Sequence, residues 1–132
     1  MKVRYINRQD RSDPMSQVVL SGPNQLTELL EARRKNSPFI AELCADNDFH
    51  LMIGVGDDVG FAQYSRVDGQ LPYLVANPRQ PRVQSRYVEF LINDTPTPIP
   101  GRYILNFEEL KKIALHFFAT GDRSEVFSWE SM

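Results

Sequence analysis

The stretch Phe39-Ile40-Ala41-Glu42-Leu43-Cys44-Ala45, Asp46-Asn47-Asp48, Phe49-His50-Leu51-Met52-Ile53-Gly54-Val55 reads as two strands joined by a polar hairpin loop. Beyond it, Phe61 to Val67 reads as a third strand, ended by the turn pair Asp68-Gly69, and Pro72 to Ala76 as a fourth. Arg86 to Ile92 alternates, with Tyr87, Glu89 and Leu91 on one side and Val88, Phe90 and Ile92 on the other. It reads as a central fifth strand. Thr95 to Pro100 carries three prolines, which restrict it to a sheet edge or a loop.

Helices flank this β region. Leu26, Leu29 and Leu30 share one helical face, so Asn24 to Lys35 reads as a helix capped by Asn24 and stopped by Asn36-Ser37-Pro38. The second helix is clearer. Asn106 with Glu109 forms a capping box, Leu110, Ile113, Ala114, Phe117 and Phe118 form an apolar stripe, and Gly121 supplies a left-handed C-terminal cap. Lys2 to Ile6, Gln17 to Leu20 and Glu125 to Trp129 read as further short strands. The expected fold is α+β: an antiparallel meander of about five to seven strands with two main helices packed on it.

The bulk numbers bound the function. A chain of 132 residues fits one domain, residues 1–132, at roughly 100–200 residues per domain. The 42% hydrophobic and 24% charged content is that of a globular chain. Net charge is −2, against strong phosphate-backbone binding, although Arg79, Arg82 and Arg86 fall close together with no acid among them. The first ten residues lack the apolar core of a secretory signal, and no run approaches the ~18 apolar residues of a membrane helix. With a single cysteine, Cys44, the chain is expected to reside in the cytoplasm.

A scan for chemistry returns little. His50 and His116, the only histidines, sit in no metal-binding spacing, so neither a metal nor another cofactor is expected. Cys44 lies in an apolar strand, where a thiol behaves as a small hydrophobe. Gly54-Val55-Gly56-Asp57-Asp58-Val59-Gly60 has its third glycine one place late for a dinucleotide fingerprint, and a strand follows where a helix is needed. It reads better as a hairpin loop. Glu108 and Glu109 suit a helix start, whereas no fold role is evident for Asp57 and Asp58. The expected activity is binding, not catalysis.

One resemblance gives that expectation content. It runs through Leu51-Met52-Ile53-Gly54-Val55-Gly56 with Gly60-Phe61, then Tyr87-Val88-Glu89-Phe90 and Thr97-Pro98-Ile99-Pro100. It ends at Ala119-Thr120-Gly121-Asp122-Arg123-Ser124-Glu125-Val126-Phe127-Ser128-Trp129-Glu130. From about Val18 onward the chain resembles the Imm1 family of bacterial immunity proteins, although Ser124 stands where the family often has proline. The resemblance implies an antidote that binds a cognate toxin in the producing cell, with a double-stranded DNA cytidine deaminase domain as the expected partner. The chain itself lacks the deaminase zinc signature. The resemblance marks Gly54, Gly56, Pro100, Thr120, Gly121, Arg123 and Trp129 as family-motif positions.

An acidic partner suits the basic groove of a nucleic-acid enzyme. The expected contact residues are Asp46 and Asp48 on the hairpin, Asp57 and Asp58 on the glycine-rich loop, Tyr64 and Tyr73 on strands, and Glu130. Each has a plainer reading: aspartates stabilise turns, strand tyrosines pack, and Trp129 can anchor the core. The rival functions are a small-molecule or nucleotide-binding module using the Gly54–Gly60 loop, and an interaction scaffold without a toxin.

Overall fold

The computed structural model describes residues 2–80 and 86–131. Arg82 of the arginine cluster and Pro81 of the loop before the fifth expected strand lie outside the described residues. Among the described residues eight strands form one sheet: β1 (Val3–Asn7), β2 (Phe39–Ala45), β3 (Phe49–Val55), β4 (Gly60–Arg66), β5 (Tyr73–Ala76), β6 (Tyr87–Ile92), β7 (Thr95–Pro100) and β8 (Trp129–Ser131). The order is β7-β6-β2-β3-β4-β5-β8, with β1 paired to β2. Among the described residues the helices are α1 (Pro23–Arg33) and α2 (Phe107–Thr120), and a 3₁₀ turn spans Gly101–Tyr103.

The fold is the expected α+β sheet with two helices, and its finer pairing is mixed. β2, β3, β4 and β5 form the antiparallel meander. β6 lies one strand from the sheet's end and meets β2 in parallel at a single pair, Phe39 and Leu91. Prolines explain the end. Pro96, Pro98 and Pro100 oppose Leu91, Glu89 and Tyr87, every second residue of β7. Alternate residues of an edge strand turn their N–H away from the ladder, so the prolines sit where no donor is needed and blunt the edge. Asn93 and Asp94, both at positive φ, make the tight turn into β7.

Three sequence expectations are corrected. α1 begins at Pro23, with Gly22 rather than Asn24 at its N-cap and no side-chain cap. Proline at the first helical position is already set for the helix, so Asn24 falls inside the first turn. Gln17 to Leu20 forms only a bridge between Val19 and Arg4, because Gln17 turns the chain at φ 74°. The last strand starts at Trp129, where residues 125–127 instead form a turn closed by Phe127 N–H on Ser124.

The main core lies between the sheet and the helices: Tyr5, Leu43, Leu51, Ile53 and Tyr64 from strands meet Leu26, Leu30, Leu110, Ile113 and Phe117. A second cluster, Ile40, Phe61, Val75, Phe90, Ile99, Tyr103 and Ile104, fills the opposite face. α2 has its capping box, Asn106 accepting from Glu109 N–H while the Glu109 carboxylate accepts from Asn106 N–H, and Gly121 ends it at φ 71°. No helix among the described residues is long and apolar enough to cross a membrane.

A buried ion pair fastens α1 to the first loop. Arg33 donates to both oxygens of Asp13, at 2.5 and 2.7 Å, while Asn7 and the Tyr5 hydroxyl each donate to Asp13 at 2.9 Å. Burial alone raises the Asp13 carboxyl pKa, but these donors and the Met15 amide hold it well below the usual carboxylate range. The deprotonated form is therefore bound tighter in the folded chain. Its contribution is full at neutral pH and is lost as pH falls below the ordinary carboxylate value of about 3.9. Asp13→Ala is expected to cost about 3 kcal/mol in urea unfolding at pH 7, the lower end for breaking a buried pair, and about 1 kcal/mol less at pH 3, where the unfolded carboxyl is mostly protonated. An equal loss at both pH values contradicts this assignment.

Candidate partner-binding surfaces

Register assigns every strand residue to a face, because paired residues in an antiparallel ladder point the same way. Tyr5, Leu43, Leu51, Tyr64 and Leu74 form one row, against the helices. On the other face, Ile6, Glu42, Met52, Gln63, Val75 and Glu130 form one row, and Arg4, Cys44, His50, Ser65 and Tyr73 the next. The β6–β7 hairpin and the 3₁₀ turn cover the apolar half of that face; the remainder is polar.

At the centre of the polar half, Arg8 grips Glu42 with two hydrogen bonds, 2.9 and 3.0 Å long. His50 Nδ1 lies 3.5 Å from Glu42 Oε2, and the Cys44 thiol donates to the same oxygen at 3.6 Å. Burial works to raise the Glu42 pKa, but His50 and Arg8 outweigh it and hold the carboxyl at about 2. Burial, reinforced by the Glu42 charge, pushes the Cys44 thiol up to about 11. A thiol held in its protonated form is a poor nucleophile.

The expected contact residues separate. Asp46 and Asp48 are exposed at the β2–β3 turn, and Asp57 and Asp58 lie at the β3–β4 turn. The seven residues of β3, at about 3.4 Å each, put these two turns about 20 Å apart, so the four aspartates form no single patch. Tyr64, expected as a contact, is 5% exposed and belongs to the core. Its ring stacks on Phe49 at 4.8 Å and meets Phe117 and Trp129 edge-on. Tyr73 is half-buried and donates to the Gly69 carbonyl. Glu130 accepts from the Tyr103 hydroxyl, which ties β8 to the 3₁₀ turn.

The two loop aspartates differ. Asp58 accepts from Phe107 N–H at 3.1 Å, so it satisfies a donor at the start of α2. That is the fold role the sequence alone does not reveal. Asp57 uses its backbone: Arg34 Nε donates to its carbonyl at 2.8 Å while the carboxylate is 96% exposed. The Arg34 guanidinium also lies over Phe107, its central carbon 3.8 Å from the ring centre.

The glycines of this loop make room for the chain itself. A Cβ on Gly54 would lie 2.6 Å from the Phe90 ring, one on Gly56 2.7 Å from Val59, and one on Gly60 3.0 Å from Leu110. Space that a phosphate would need is filled by side chains, which counts against a nucleotide site. Most of the other residues on which the resemblance rests lie in the C-terminal segment. Thr120 donates to the His116 carbonyl, the Arg123 guanidinium lies 5.6 Å from the Tyr64 ring, and the Trp129 indole donates to the Ser124 carbonyl at 2.9 Å. Pro100 closes β7 opposite Tyr87.

Two features escaped the sequence reading. Asn47 donates to the Gly121 carbonyl at 2.9 Å, joining the β2–β3 turn to the end of α2, just before Asp122 in the chain. Nothing local announces a contact across 74 residues. The Glu42, Cys44 and His50 cluster had a signal: a three-residue loop at Asp46–Asp48 sets position 44 opposite position 50.

Residues 15–131 match the model of a protein family described as Immunity protein Imm1. No curated protein matches the chain.

The geometry separates neighbouring residues by their cost to stability. Asp57→Ala is expected to change unfolding free energy by no more than about 0.5 kcal/mol, Asp58→Ala to cost about 1 kcal/mol as a lost cap, and Tyr64→Ala about 3 kcal/mol as a core deletion. Chemical denaturation of the three variants checks the order; a tolerated Tyr64→Ala contradicts its placement in the core.

Proposed function

The chain belongs to the Imm1 family of immunity proteins, and from that premise we propose that it binds a cognate bacterial toxin domain and inhibits it in the cytoplasm of the producing cell. The family match over residues 15–131 carries the reading. The toxin we favour is a nucleic-acid deaminase acting on cytidine in DNA, neutralised by occlusion of its active site rather than by any chemistry of the chain. The exposed Asp46 and Asp48 support this choice, since a deaminase must hold phosphates in a basic groove.

The docking end we favour holds Asp46 and Asp48, on the turn that the Asn47–Gly121 hydrogen bond joins to the end of α2. It stands on rigid elements, the β2–β3 turn and the capped end of α2. A charge fixed before encounter steers a basic partner and needs little ordering on binding. Asp57, at the far end of β3, reports on the opposite surface. Inhibition at nanomolar concentrations needs about −12 kcal/mol, within reach of an interface of about 20–30 residues a side.

Co-expression with the toxin domain of its own gene cluster tests the reading. Growth is expected to be restored and a stable complex recovered; no rescue and no complex contradict the function. Asp46→Lys is expected to slow association about tenfold at low salt, with Asp57→Lys near the parent rate. The reverse order moves the docking surface to the β3–β4 end.

A further inference from the structure

We propose that Glu42, Cys44 and His50 form a site for one divalent cation of the zinc class. Glu42 and Cys44 are two residues apart on β2, so both side chains leave the same face. His50 is the direct cross-strand partner of Cys44, which places it on that face as well. A carboxylate oxygen, a thiol sulfur and an imidazole nitrogen converge there, all within 4.8 Å of one another. Cys44 Sγ is 3.6 Å and His50 Nδ1 3.5 Å from Glu42 Oε2. Those two separations are close to what a tetrahedral ion requires, since bonds of about 2.0 Å to nitrogen and oxygen and about 2.3 Å to sulfur set neighbouring ligands about 3.3–3.6 Å apart; the sulfur and the imidazole nitrogen, within 4.8 Å of each other, reach that spacing by a small side-chain rotation.

The donor set selects the ion. Magnesium and calcium take oxygen ligands, whereas one sulfur, one nitrogen and one oxygen suit zinc. Three protein donors leave a fourth position for water or for a donor from outside the chain. Arg8 supplies an outer shell. Its Nε holds Glu42 Oε1 and its terminal nitrogen donates to Oε2. A carboxylate oxygen has two lone pairs, so Oε2 can keep Arg8 on one and bind a cation with the other. The arginine fixes the carboxylate's orientation, the role outer-shell partners play for metal ligands. The Glu42 and His50 side chains are 9% and 17% exposed, so the site is sheltered but reachable. Binding replaces the thiol proton with the ion, and that proton passes to solvent. The proposal stands independently of the inhibitor role.

The full chain, reduced and stripped with a chelator, is titrated with Zn²⁺ by calorimetry and with Co²⁺ by absorption. One equivalent is expected to bind, and Co²⁺ to show a sulfur-to-cobalt charge-transfer band with the intense visible bands of a four-coordinate ion. Cys44→Ser and His50→Gln are each expected to weaken binding at least about tenfold, with unchanged circular dichroism. A readout on the parent chain needs no variant: one equivalent of Zn²⁺ is expected to slow alkylation of Cys44, the sole cysteine, at least about tenfold, like the affinity loss above. No binding, a cobalt spectrum without the thiolate band, or unchanged alkylation overturns the proposal.

Discussion

The outer edge of β2 is divided between two strands, and the two faces of the sheet take their character from that division. Ala41–Ala45 pair with β1, while Phe39 pairs with Leu91 of β6. Arg8 stands at the fork. Its N–H donates to the Ile40 carbonyl and its carbonyl accepts from Asn93 N–H, so one residue joins β1, β2 and the β6–β7 turn. Its side chain then holds Glu42 on the same strand. The turn is further tied down by Gln9, whose amide exchanges hydrogen bonds with Asp94. Freed from a full-length ladder with β2, the β6–β7 hairpin supplies Phe90 and Ile99 to the face that the helices leave free.

Phe90 needs somewhere to sit, and that need explains the glycine-rich loop. Its ring packs where a Gly54 side chain would be, and the chain then closes through Gly56 against Pro38 and Val59 and through Gly60 against Leu110. Close backbone packing accounts for all three glycines. Asp58 adds the start of α2 to the same junction, since it accepts from Phe107 N–H. A loop that looks like a ligand cradle in one dimension is therefore a packing joint in three.

The meander and α2 are the parts most legible in the sequence. β2 and β3 fall at their expected bounds, because a short polar loop between two apolar runs leaves one sensible register. The Asn106–Glu109 box and the Gly121 cap carry their chemistry in a few residues. What long-range contacts decide was not legible. Tyr64 reads from the sequence either as a contact or as a packed strand tyrosine, and its row in the sheet, which faces Phe117 and Trp129, makes it the second. Asp58 accepts from a helix start 49 residues on, a contact that its neighbours in sequence do not announce. The last strand moved because Ser124 and Phe127 close a turn first, and only then does Trp129 meet Ala76. Facing residues across the Asp46–Asp48 turn were open to inspection, since hairpin arithmetic alone sets Cys44 against His50.

Membership in the Imm1 family turns these details into a question about how the chain acts. The proposed role is occupation: an end carrying the exposed Asp46 and Asp48 that fills another protein's groove. Occupation and chemistry differ in stoichiometry. The direct measurement is a titration of the purified cognate toxin's activity with this chain, at toxin concentrations well above the dissociation constant. Occupation predicts a linear fall that reaches zero at one equivalent and returns when the complex is denatured and the toxin refolded alone. Complete inactivation by a small fraction of an equivalent, or full activity at a large excess, contradicts it.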